Sequence, residues 1–381
     1  MKSARRVVHI TTVHHPFDTR IYHKECKSLQ RAGYNVTLIA PADDEERVRE
    51  NEIEVIPITK RRSKLLRMFL STLQAFRVAH SLKADYYHIH DPELLPVAWL
   101  LKRKHNVVIY DIHEDYVTSI MQKEYIVKPV RRVIALIYKI VETVLTRNIE
   151  LCLAEKYYKN LYPKGQCILN YPILNDTLKN RQIDERPVEN ELIYTGNVSV
   201  ERGAFIHATL PLLDDEVSVS FVGKCPQKLA DQMFKLAGDR RNCLTIEGID
   251  RYVPREEIDF KYISKRWLAG LALFPPSEHY KRKELTKFFE YMSAGIPILC
   301  SDFPVWKSFV EKHGCGIAVN PCDKAAIKSA LDYLKTNPNK AAKMGKNGQH
   351  AVKKYLNWNE EEEKLIQWYD GLWDGMTVVN A

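Results

Sequence analysis

Residues 281–302, KRKELTKFFEYMSAGIPILCSD, have the residue types of an anion-binding helix start. A polar loop runs into Thr286, a plausible N-cap, and the predicted helix ends at Gly295 and Pro297, before an apolar run typical of a buried strand. The first N–H groups of a helix have no partner within it, so they can bind an anion. This geometry suits a nucleotide diphosphate, with Glu290 one turn further in. Most helix N-termini are capped by water or side chains, so the feature is not specific alone.

A second candidate for binding a diphosphate is the loop TGNVSVERG, which follows a strand predicted to end at Tyr194. Gly196 and Gly203 permit close approach of the backbone, and Arg202 would carry positive charge towards the diphosphate. The loop is not a GxGxxG fingerprint, and the sequence contains no GxxxxGK[ST] P-loop. The glycine motif is therefore a weak signal by itself.

In the first half, polar loops also follow the predicted strands. HDPELLP begins after a strand that ends near His90, and DIHEDYV brings Asp111, His113, Glu114 and Asp115 into five residues. Such a density of titratable groups is typical of functional sites, although a surface acidic turn is an alternative. One histidine with flanking carboxylates lacks the ligand framework of a metal site.

Two segments of the first half lead into predicted helices, HHPFDTR (residues 14–20) and the basic KRRSKLLR (residues 60–67). Asp18 is most simply an N-cap, and Arg20 on the first turn could reach a phosphate. KRRSKLLR, residues 60–67, leads a helix with apolar side chains at helical spacing. This pattern fits either a core helix with a basic entry or an interfacial helix on anionic lipid, and the helix over residues 131–147 presents the same alternatives.

Alternating strand and helix patterns must position these residues. A strand over residues 6–12, a helix over 19–32 and a strand over 34–40 form one βαβ unit, and the alternation continues to residue 154. Residues 170–190 are polar, contain two prolines and have no clear period, which predicts a linker. A second alternating series follows. Ligands of such sheets bind outside the carboxyl ends of the strands, so two α/β domains predict a cleft.

Length and composition agree with two globular domains. The chain has 381 residues, of which 45% are hydrophobic. The eight cysteines are scattered without a CxxC pair, which gives little support to disulfides or a zinc site and favours a reducing cytoplasm. We expect neither a signal peptide nor a membrane-spanning helix, since the most apolar run, residues 133–146, is interrupted by Lys139 and Glu142.

The net charge of +9 is concentrated in one half of the chain. Residues 1–180 hold 29 Lys and Arg against 20 Asp and Glu, whereas the remainder holds 28 of each. This asymmetry predicts that one domain meets a polyanion, either an anionic membrane surface or a nucleic acid; an ordinary solvated surface is the alternative. The basic residues are not interleaved with aromatic residues as in known nucleic-acid modules, which argues against nucleic acid.

Four groups of motifs together resemble the retaining glycosyltransferases of family 4, and they span both halves. They are HHPFDTRIYHKECKSLQRAGYNVTLI, HIHDPELLP with YDIHEDY, LIYTGNVSVERG and KELTKFFEYMSAGIPILCSDFP. The resemblance implies an α/β protein of the GT-B fold, with two Rossmann-like domains that face each other across a cleft. It implies an acceptor-binding domain (1–170), a linker (171–190), a nucleotide-sugar-binding domain (191–355) and a C-terminal helix (356–381) that crosses back to the first domain.

The resemblance also assigns roles. Arg202 would stabilise the leaving phosphate, His113 would lie beside the donor sugar, and Lys287 would meet the diphosphate at the helix start. Glu290 would bind the ribose hydroxyls, and residues 247–250, EGID, would hold the base. The residues expected to bind the donor are Gly196, Asn197, Gly223, Gly248, Ile249, Arg282, Glu284, Leu285, Thr286 and Glu290. Those expected to bind the acceptor are Asp18, Arg20, His90 and Glu114.

The sequence departs from the family pattern at two positions. Asn197 stands where the family often has an arginine, five residues before Arg202. Arg282 stands where the first glutamate of an E-x7-E pattern is expected, with Glu284 only nearby. The diphosphate would keep Arg202 and lose a usual second charge, and the sugar hydroxyls would be recognised by a group other than that glutamate. The identity of the sugar is therefore open.

The implied function is a retaining hexosyltransferase that needs neither a metal nor a cofactor. It would move a sugar from a nucleotide diphosphate donor, with UDP favoured, to a hydroxyl of a glycan or lipid-linked acceptor in bacterial surface polysaccharide biosynthesis. A cytoplasmic protein in peripheral contact with the anionic inner membrane face is expected. Two alternatives remain: a catalytically silent partner in a glycan-assembly complex, motivated by Asn197 and Arg282, and an epimerase of nucleotide sugars on the same fold.

Overall fold

The computed structural model describes residues 4–42, 48–50, 52–61, 63–123, 125–174, 187–278 and 280–379. The chain divides into two compact units, the first formed by Met1–Asn170 with Trp358–Ala381 and the second by Tyr171–Asn357. Each unit is a mainly parallel sheet covered by helices, as the alternation of strand and helix patterns predicts.

An eight-stranded sheet forms the core of unit 1. The spatial order is β3-β4-β2-β1-β5-β6-β7-β8, and all neighbours are parallel except β3 and β4. The inner strands are apolar runs that are buried on both faces, which is typical of parallel sheets. The strands are β1 (Arg6–Ile10), β2 (Asn35–Ala42), β3 (Val48–Glu50), β4 (Ile53–Thr59), β5 (Tyr86–Ile89), β6 (Val107–Ile112), β7 (Glu150–Leu153) and β8 (Gln166–Cys167).

The helices of unit 1 begin with an unusual element, a π-helix over Thr19–Cys26 that continues directly into α1. A second π-helical segment, Arg67–Ser71, joins α2 to α3. Short 3-10 helices cover Pro92–Leu94 and Lys156–Asn160. The α-helices are α1 (Lys27–Arg31), α2 (Lys64–Leu66), α3 (Thr72–Leu82), α4 (Leu95–Leu101), α5 (Tyr116–Met121) and α6 (Lys128–Leu145).

Unit 2 has a six-stranded, fully parallel sheet in the order β11-β10-β9-β12-β13-β14. Its strands are β9 (Glu191–Thr195), β10 (Ser218–Cys225), β11 (Leu244–Ile249), β12 (Ala269–Ala272), β13 (Ile298–Ser301) and β14 (Gly316–Val319). Short 3-10 helices cover Val200–Arg202 and Gly238–Cys243. Its α-helices are α7 (Ala204–Ala208), α8 (Leu210–Leu213), α9 (Gln227–Ala237), α10 (Arg255–Ser264), α11 (Thr286–Ser293), α12 (Pro304–His313), α13 (Lys324–Thr336) and α14 (Pro338–Lys354).

The C-terminal helix α15 (Trp358–Val379) packs on unit 1. Tyr369 is fully buried there, and its carbonyl oxygen accepts a 2.7 Å hydrogen bond from the Tyr86 hydroxyl. The Trp358 indole donates to Ser28 Oγ at 2.9 Å, so both the start and the middle of the helix are held by the first unit. No helix in the described part of the chain is both long and apolar enough to span a membrane.

Several boundaries differ from the prediction. Thr286 is the first residue of α11 and not its N-cap; that position belongs to Leu285, whose side chain cannot accept a hydrogen bond. The EGID segment lies at the end of β11 and not in a separate loop. Strands β3 and β8 were not predicted, because three-residue and two-residue strands leave no readable period. Most of the predicted linker lies outside the described residues.

Candidate functional site

The carboxyl ends of β9, β10 and β11 lie side by side and turn at glycines. Gly196, Gly223 and Gly248 have φ values of 83°, 154° and 104°. A Cβ atom at Gly223 would lie 2.0 Å from the Gly196 carbonyl oxygen, and one at Gly248 would lie 2.5 Å from the Gly223 carbonyl oxygen. The close approach of neighbouring strand ends therefore requires glycine at Gly223 and Gly248, and it leaves this edge of the sheet as backbone without side chains at these positions. These three residues, which the sequence assigned to the donor, are brought together.

Lys287 enters this edge from the first turn of α11. Its Nζ donates a hydrogen bond to the Thr195 carbonyl and lies 4.3 Å from the centre of the Tyr194 ring. A Cβ at Gly196 would lie 3.1 Å from the same Nζ. Burial lowers the pKa of Lys287 to about 8, and the charge of Arg202 adds to the lowering while Glu290 opposes it. The ammonium group is thus a buried cation at the start of a helix, in surroundings suited to an anion.

Arg202 ends a 3-10 turn directly after β9. Gly203 follows it with φ +80°, and a Cβ there would lie 2.0 Å from the Leu273 carbonyl oxygen, so the turn is pressed against the end of β12. The Arg202 Nε donates to the Tyr280 hydroxyl at 3.2 Å. The guanidinium group is half-buried and has no carboxylate partner among the described residues. Its positive charge is therefore available to an anionic ligand.

Glu290 is held by side chains that sequence reasoning did not single out. One carboxylate oxygen pairs with Arg255, and the other accepts a 2.8 Å hydrogen bond from the Tyr262 hydroxyl. That hydroxyl also lies 2.7 Å from Thr195 Oγ1. Arg255 and Tyr262 belong to α10, 35 and 28 residues away along the chain, and no motif marks them. Only the packing of α10 beside α11 reveals these two positioning residues.

The remaining donor-side candidates also lie on unit 2. Asn197 and Arg282 are exposed, whereas Glu284 and Ile249 are half-buried. The Trp306 indole donates to the Lys283 carbonyl at 2.7 Å, which fixes the loop between Arg282 and Glu284. A further aromatic side chain that the sequence did not suggest, Tyr252, is 74% exposed shortly after β11.

In unit 1, Asp18 and Arg20 have different roles from each other. Asp18 caps the π-helix, as expected, because its Oδ1 accepts hydrogen bonds from the N–H groups of Arg20 and Ile21. Arg20, expected to reach a phosphate, is instead 4% exposed and makes two 2.8 Å hydrogen bonds to Asp111. The expectation of a phosphate contact for Arg20 is therefore wrong in this structure. A buried bidentate pair makes Arg20 a positioning residue.

Asp111 connects Arg20 with two candidate histidines. Its Oδ2 lies 2.6 Å from His113 Nε2 and 3.3 Å from His90 Nδ1. Burial opposes ionisation of Asp111, but Arg20 and His113 outweigh it and hold the pKa of this carboxyl group well below its usual value. His113 is thus fixed by a carboxylate, an arrangement that selects one tautomer of a histidine. His90 is buried, whereas Glu114 is exposed.

A cavity of about 460 Å³ opens beside the loop that follows β1. It combines basic side chains with apolar ones. Lys60, Arg61 and Arg67 are its cationic members, and Arg67 is paired with Glu93 at 2.8 Å. The other lining residues are Thr12, Val13, His14, His15, Pro16, Phe17, Pro41, Ala42, Val55 and Pro57. The cavity can take a ligand that is partly anionic and partly apolar.

Two family models match the sequence. The one described as a glycosyl transferase 4-like domain matches residues 19–148, and the one described as glycosyl transferases group 1 matches residues 286–351. The first match contains the Arg20, His90 and His113 loops, and the second begins at the start of α11. No curated protein sequence matches the chain.

Solved glycosyltransferase structures share the fold along the whole chain. Sucrose-phosphate synthase from Thermosynechococcus elongatus superposes with a TM-score of 0.74 at 18% identity, over 97% of this chain and 100% of that one. Alr3699/HepE from Anabaena, in complex with UDP and glucose, has a TM-score of 0.68 at 12% identity, over 96% and 100%. WaaG, a glycosyltransferase involved in lipopolysaccharide biosynthesis, has 0.67 at 15%, over 94% and 98%.

Identities this low establish the fold alone, whereas the two family models match residues 19–148 of unit 1 and residues 286–351 of unit 2. The two Rossmann-like units agree with the solved structures, and the second family match begins at the first residue of α11. The protein therefore belongs to the glycosyltransferases of the family 4 type and has the GT-B fold.

Proposed function

We propose that this glycosyltransferase moves a hexose from a UDP-sugar to a hydroxyl of a glycan or lipid-linked acceptor, with retention of the anomeric configuration. The reaction would belong to the assembly of a bacterial surface polysaccharide. One observation carries the proposal: Arg202, Lys287 and the N-terminus of α11 meet beside the glycine edge of unit 2. Two cations and free N–H groups beside bare backbone suit the diphosphate of a nucleotide sugar.

Glu290 is the proposed contact for the ribose. Its carboxylate is fixed on both oxygens by Arg255 and Tyr262, and its side chain is still 15% exposed. The residues of the EGID segment, including Gly248 and Ile249, are proposed to meet the base. UDP is favoured because Alr3699/HepE, which has the same fold, was solved with UDP and with UDP-glucose. We propose that the choice of donor sugar depends on Asn197, Arg282 and Glu284.

In the proposed mechanism the acceptor hydroxyl attacks from the face that the diphosphate leaves, and a phosphate oxygen of the leaving group takes the acceptor proton. No carboxylate acts as a nucleophile, in contrast to retaining glycosidases. Arg202, Lys287 and the N–H groups of α11 stabilise the negative charge that develops on the diphosphate. These groups supply the positive charge, so the proposed chemistry requires neither a divalent cation nor a cofactor. His113, held by Asp111, is proposed to contact the donor sugar.

Binding of the acceptor is proposed for unit 1. Asp18, His90 and Glu114 follow the carboxyl ends of its strands, and the cavity beside β1 offers cationic and apolar surfaces together. Arg20 would act there only through Asp111. A phosphate-containing acceptor with an apolar anchor matches the chemistry of this cavity better than a neutral sugar does.

Peripheral contact with an anionic membrane is proposed from the surface of α6. Its apolar side chains point outward: Val133, Leu136, Ile137, Ile140 and Val144 are each 54 to 59% exposed. Glu142, in contrast, is buried and accepts 2.7 Å hydrogen bonds from the Tyr138 and Tyr162 hydroxyls. A helix that exposes its apolar side and carries Lys128, Arg131, Arg132 and Lys139 has the pattern of an interfacial helix.

The donor proposal is tested by measuring thermal unfolding with UDP, GDP, ADP and dTDP. We expect UDP to give the largest rise in Tm. A ligand at 100 times its Kd adds about 2.7 kcal/mol of stability, so at equal concentration the nucleotide that binds most tightly raises the Tm most. Glu290→Ala should reduce the rise, whereas Glu311→Ala, an exposed carboxylate on α12, should not. A larger rise with another nucleotide would contradict the choice of UDP. Turnover of UDP-sugars without any acceptor would instead indicate an epimerase.

The membrane proposal predicts that the protein sediments with phosphatidylglycerol vesicles at low salt. Leu136→Asp with Ile140→Asp should lower the bound fraction at least about fivefold, because two charges on the apolar side oppose insertion. Leu236→Asp, which changes an exposed leucine of unit 2, is the matched control. No binding by the unaltered protein would remove the membrane contact and leave the transferase proposal intact.

A further inference from the structure

Three buried histidines lie on one face of two neighbouring strands in unit 1. His9 of β1 pairs in register with His88 of β5, and His90 follows two residues later, so all three side chains point to the same side of the sheet. The π-helix over Thr19–Cys26 covers this side and places Glu25 among them. The side chains of the three histidines and of Glu25 are buried completely.

The four side chains converge on one point. Glu25 Oε2 lies 3.9 Å from His9 Nδ1, 4.0 Å from His88 Nδ1 and 3.9 Å from His90 Nε2. His9 Nδ1 and His90 Nε2 are 2.9 Å apart, a separation that suits either a shared proton or two ligands of one ion. A point equidistant from Glu25 Oε2 and these two nitrogens lies about 2.1 Å from each, the length of Zn–N and Zn–O bonds.

Within the described residues, several polar atoms of Glu25 and the three histidines have no hydrogen-bond partner. Neither oxygen of Glu25 accepts a hydrogen bond, and His9 Nε2 and His88 Nε2 have no partner either. Glu25 Oε1 lies 3.1 Å from Arg20 Nη2, as an ion pair without hydrogen-bond geometry. Buried carboxylates are normally hydrogen-bonded or bind a cation, because leaving them without a partner is costly. The second oxygen of Glu25, Oε2, faces three imidazoles without a hydrogen bond, and a carboxylate oxygen with imidazole nitrogens is a donor set suited to a transition metal.

The outer contacts of the group also fit a metal ion. His90 turns its second ring nitrogen, Nδ1, to Asp111 Oδ2 at 3.3 Å, and Arg20 holds Asp111 through two hydrogen bonds. His88 Nδ1, the nitrogen that faces Glu25, lies 2.7 Å from the Tyr369 hydroxyl of α15, a contact that His88 would give up in order to bind the ion through this nitrogen. Carboxylates behind ligating histidines orient the imidazole and raise its basicity, and they accompany most histidine metal sites. Because Asp111 neutralises Arg20, the arginine charge does not exclude a cation beside Glu25.

We propose that Glu25, His9 and His90 bind one Zn²⁺ ion, with His88 beside them as a fourth ligand. The ion would be structural. It would join β1, β5 and the π-helix that presents Asp18 and Arg20, and it is separate from the diphosphate groups of unit 2. The diphosphate groups of unit 2 do not include these ligands, but His90 and its partner Asp111 also belong to the proposed acceptor and sugar contacts of unit 1. Zinc content and the rise in Tm with nucleotide are therefore measured separately, so that the failure of one proposal can be told from the failure of the other.

The first test is the zinc content of the full-length protein with its affinity tag removed, measured by plasma mass spectrometry after loading with Zn²⁺ and exhaustive buffer exchange. We expect about one zinc per chain, and removal by a chelator should lower the Tm, which added Zn²⁺ should restore. Less than about 0.1 zinc per chain in folded protein, with a Tm that does not respond to Zn²⁺, would overturn the proposal. The cluster would then be a network of shared protons.

The second test compares two variants with similar chemistry. Glu25→Gln should lower the retained zinc at least tenfold, because an amide oxygen is a poor ligand for this ion. His105→Gln, which changes an exposed histidine of the same unit, should retain it. Substitution of Co²⁺ in the unaltered protein should give the visible absorption of a four-coordinate site, which remains measurable even if Glu25→Gln does not fold. Equal retention by both variants, or a six-coordinate cobalt spectrum, would contradict this ligand set.

Discussion

Replacing Arg202 with alanine is expected to lower turnover by about 10²- to 10³-fold while the fold remains intact. The guanidinium donates a 3.2 Å hydrogen bond to the Tyr280 hydroxyl, also interacts with Tyr194 and has no carboxylate partner within the described structure, so its removal leaves no buried carboxylate uncompensated. In the transition state it would face the departing diphosphate. Loss of one preorganised charge or hydrogen-bond donor at a developing anion typically costs about 10² to 10³ in kcat.

The measurement is release of nucleotide from the donor that the thermal screen selects, with an acceptor fraction present. Lys224→Ala is the matched control, because Lys224 is an exposed cation of β10 close to the same edge. Arg202→Lys should recover part of the activity, since it restores the charge but not the planar donor geometry. Turnover near that of the unaltered enzyme in Arg202→Ala would show that another group stabilises the leaving phosphate.

The order of strands and helices could be predicted because most elements have a clear period. β1, β5 and β6 are apolar runs of four to six residues, and α13 and α14 have long amphipathic patterns. The π-helical start of the first helix could not be predicted, because a change from α to π hydrogen bonding alters the period too little. This matters for function, since the wider turn places both Arg20 and Glu25 inward.

Prediction of the candidate site was most direct for residues close in sequence to a motif. Gly196 and Lys287 were expected near the diphosphate, and the structure brings them together. It failed for partners that only tertiary packing supplies, such as Arg255 beside Glu290. It also failed for Arg20, because the sequence cannot show that Asp111, 91 residues away, would bury its guanidinium. A residue type suggests a chemistry, but its neighbours decide whether it faces a ligand or the core.

One departure from the family pattern, Asn197, now has a structural setting. Asn197 is exposed, and its carbonyl oxygen accepts a 2.8 Å hydrogen bond from the Tyr194 hydroxyl. The Tyr194 ring in turn lies beneath the Lys287 ammonium. Asn197, which lacks the usual arginine charge, is therefore connected through the Tyr194 side chain to Lys287, the second cation of the site. We infer that Lys287 carries more of the diphosphate charge here than it would beside an arginine at position 197.

Replacing Lys287 with methionine is accordingly expected to remove at least about 10²-fold of activity and at the same time to stabilise the free protein. Because burial lowers the pKa of Lys287 to about 8, the charged form is disfavoured in the folded state by roughly 3 kcal/mol at neutral pH. Methionine removes this cost but also the hydrogen bond to the Thr195 carbonyl. A net gain near 1 kcal/mol corresponds to a rise in Tm of roughly 2–4 °C.

The lowered pKa of Lys287 also predicts how activity and stability depend on pH. Lys287 must be protonated to bind the diphosphate, so kcat/KM for the donor should fall as pH rises through about 8. Stability should change in the opposite sense. The folded pKa lies below the unfolded one, so the unfolded state binds more protons between about pH 8 and 10.5, and stability rises with pH across that window.

These effects are measured by pH profiles of kcat/KM and by thermal unfolding of the unaltered protein, Lys287→Met and Lys287→Arg. Lys287→Arg keeps its charge at all these pH values, so its residual activity should lose the alkaline fall near pH 8. In Lys287→Met the rise of stability between pH 8 and 10.5 should become smaller; the buried Lys24, whose pKa is lowered to about 7, still contributes to it. Lys287→Met could instead be inactive and less stable than the unaltered protein. The lysine would then stabilise the fold and would not be a charged group kept at a cost in folding stability for binding. The link between its lowered pKa and the diphosphate would be wrong.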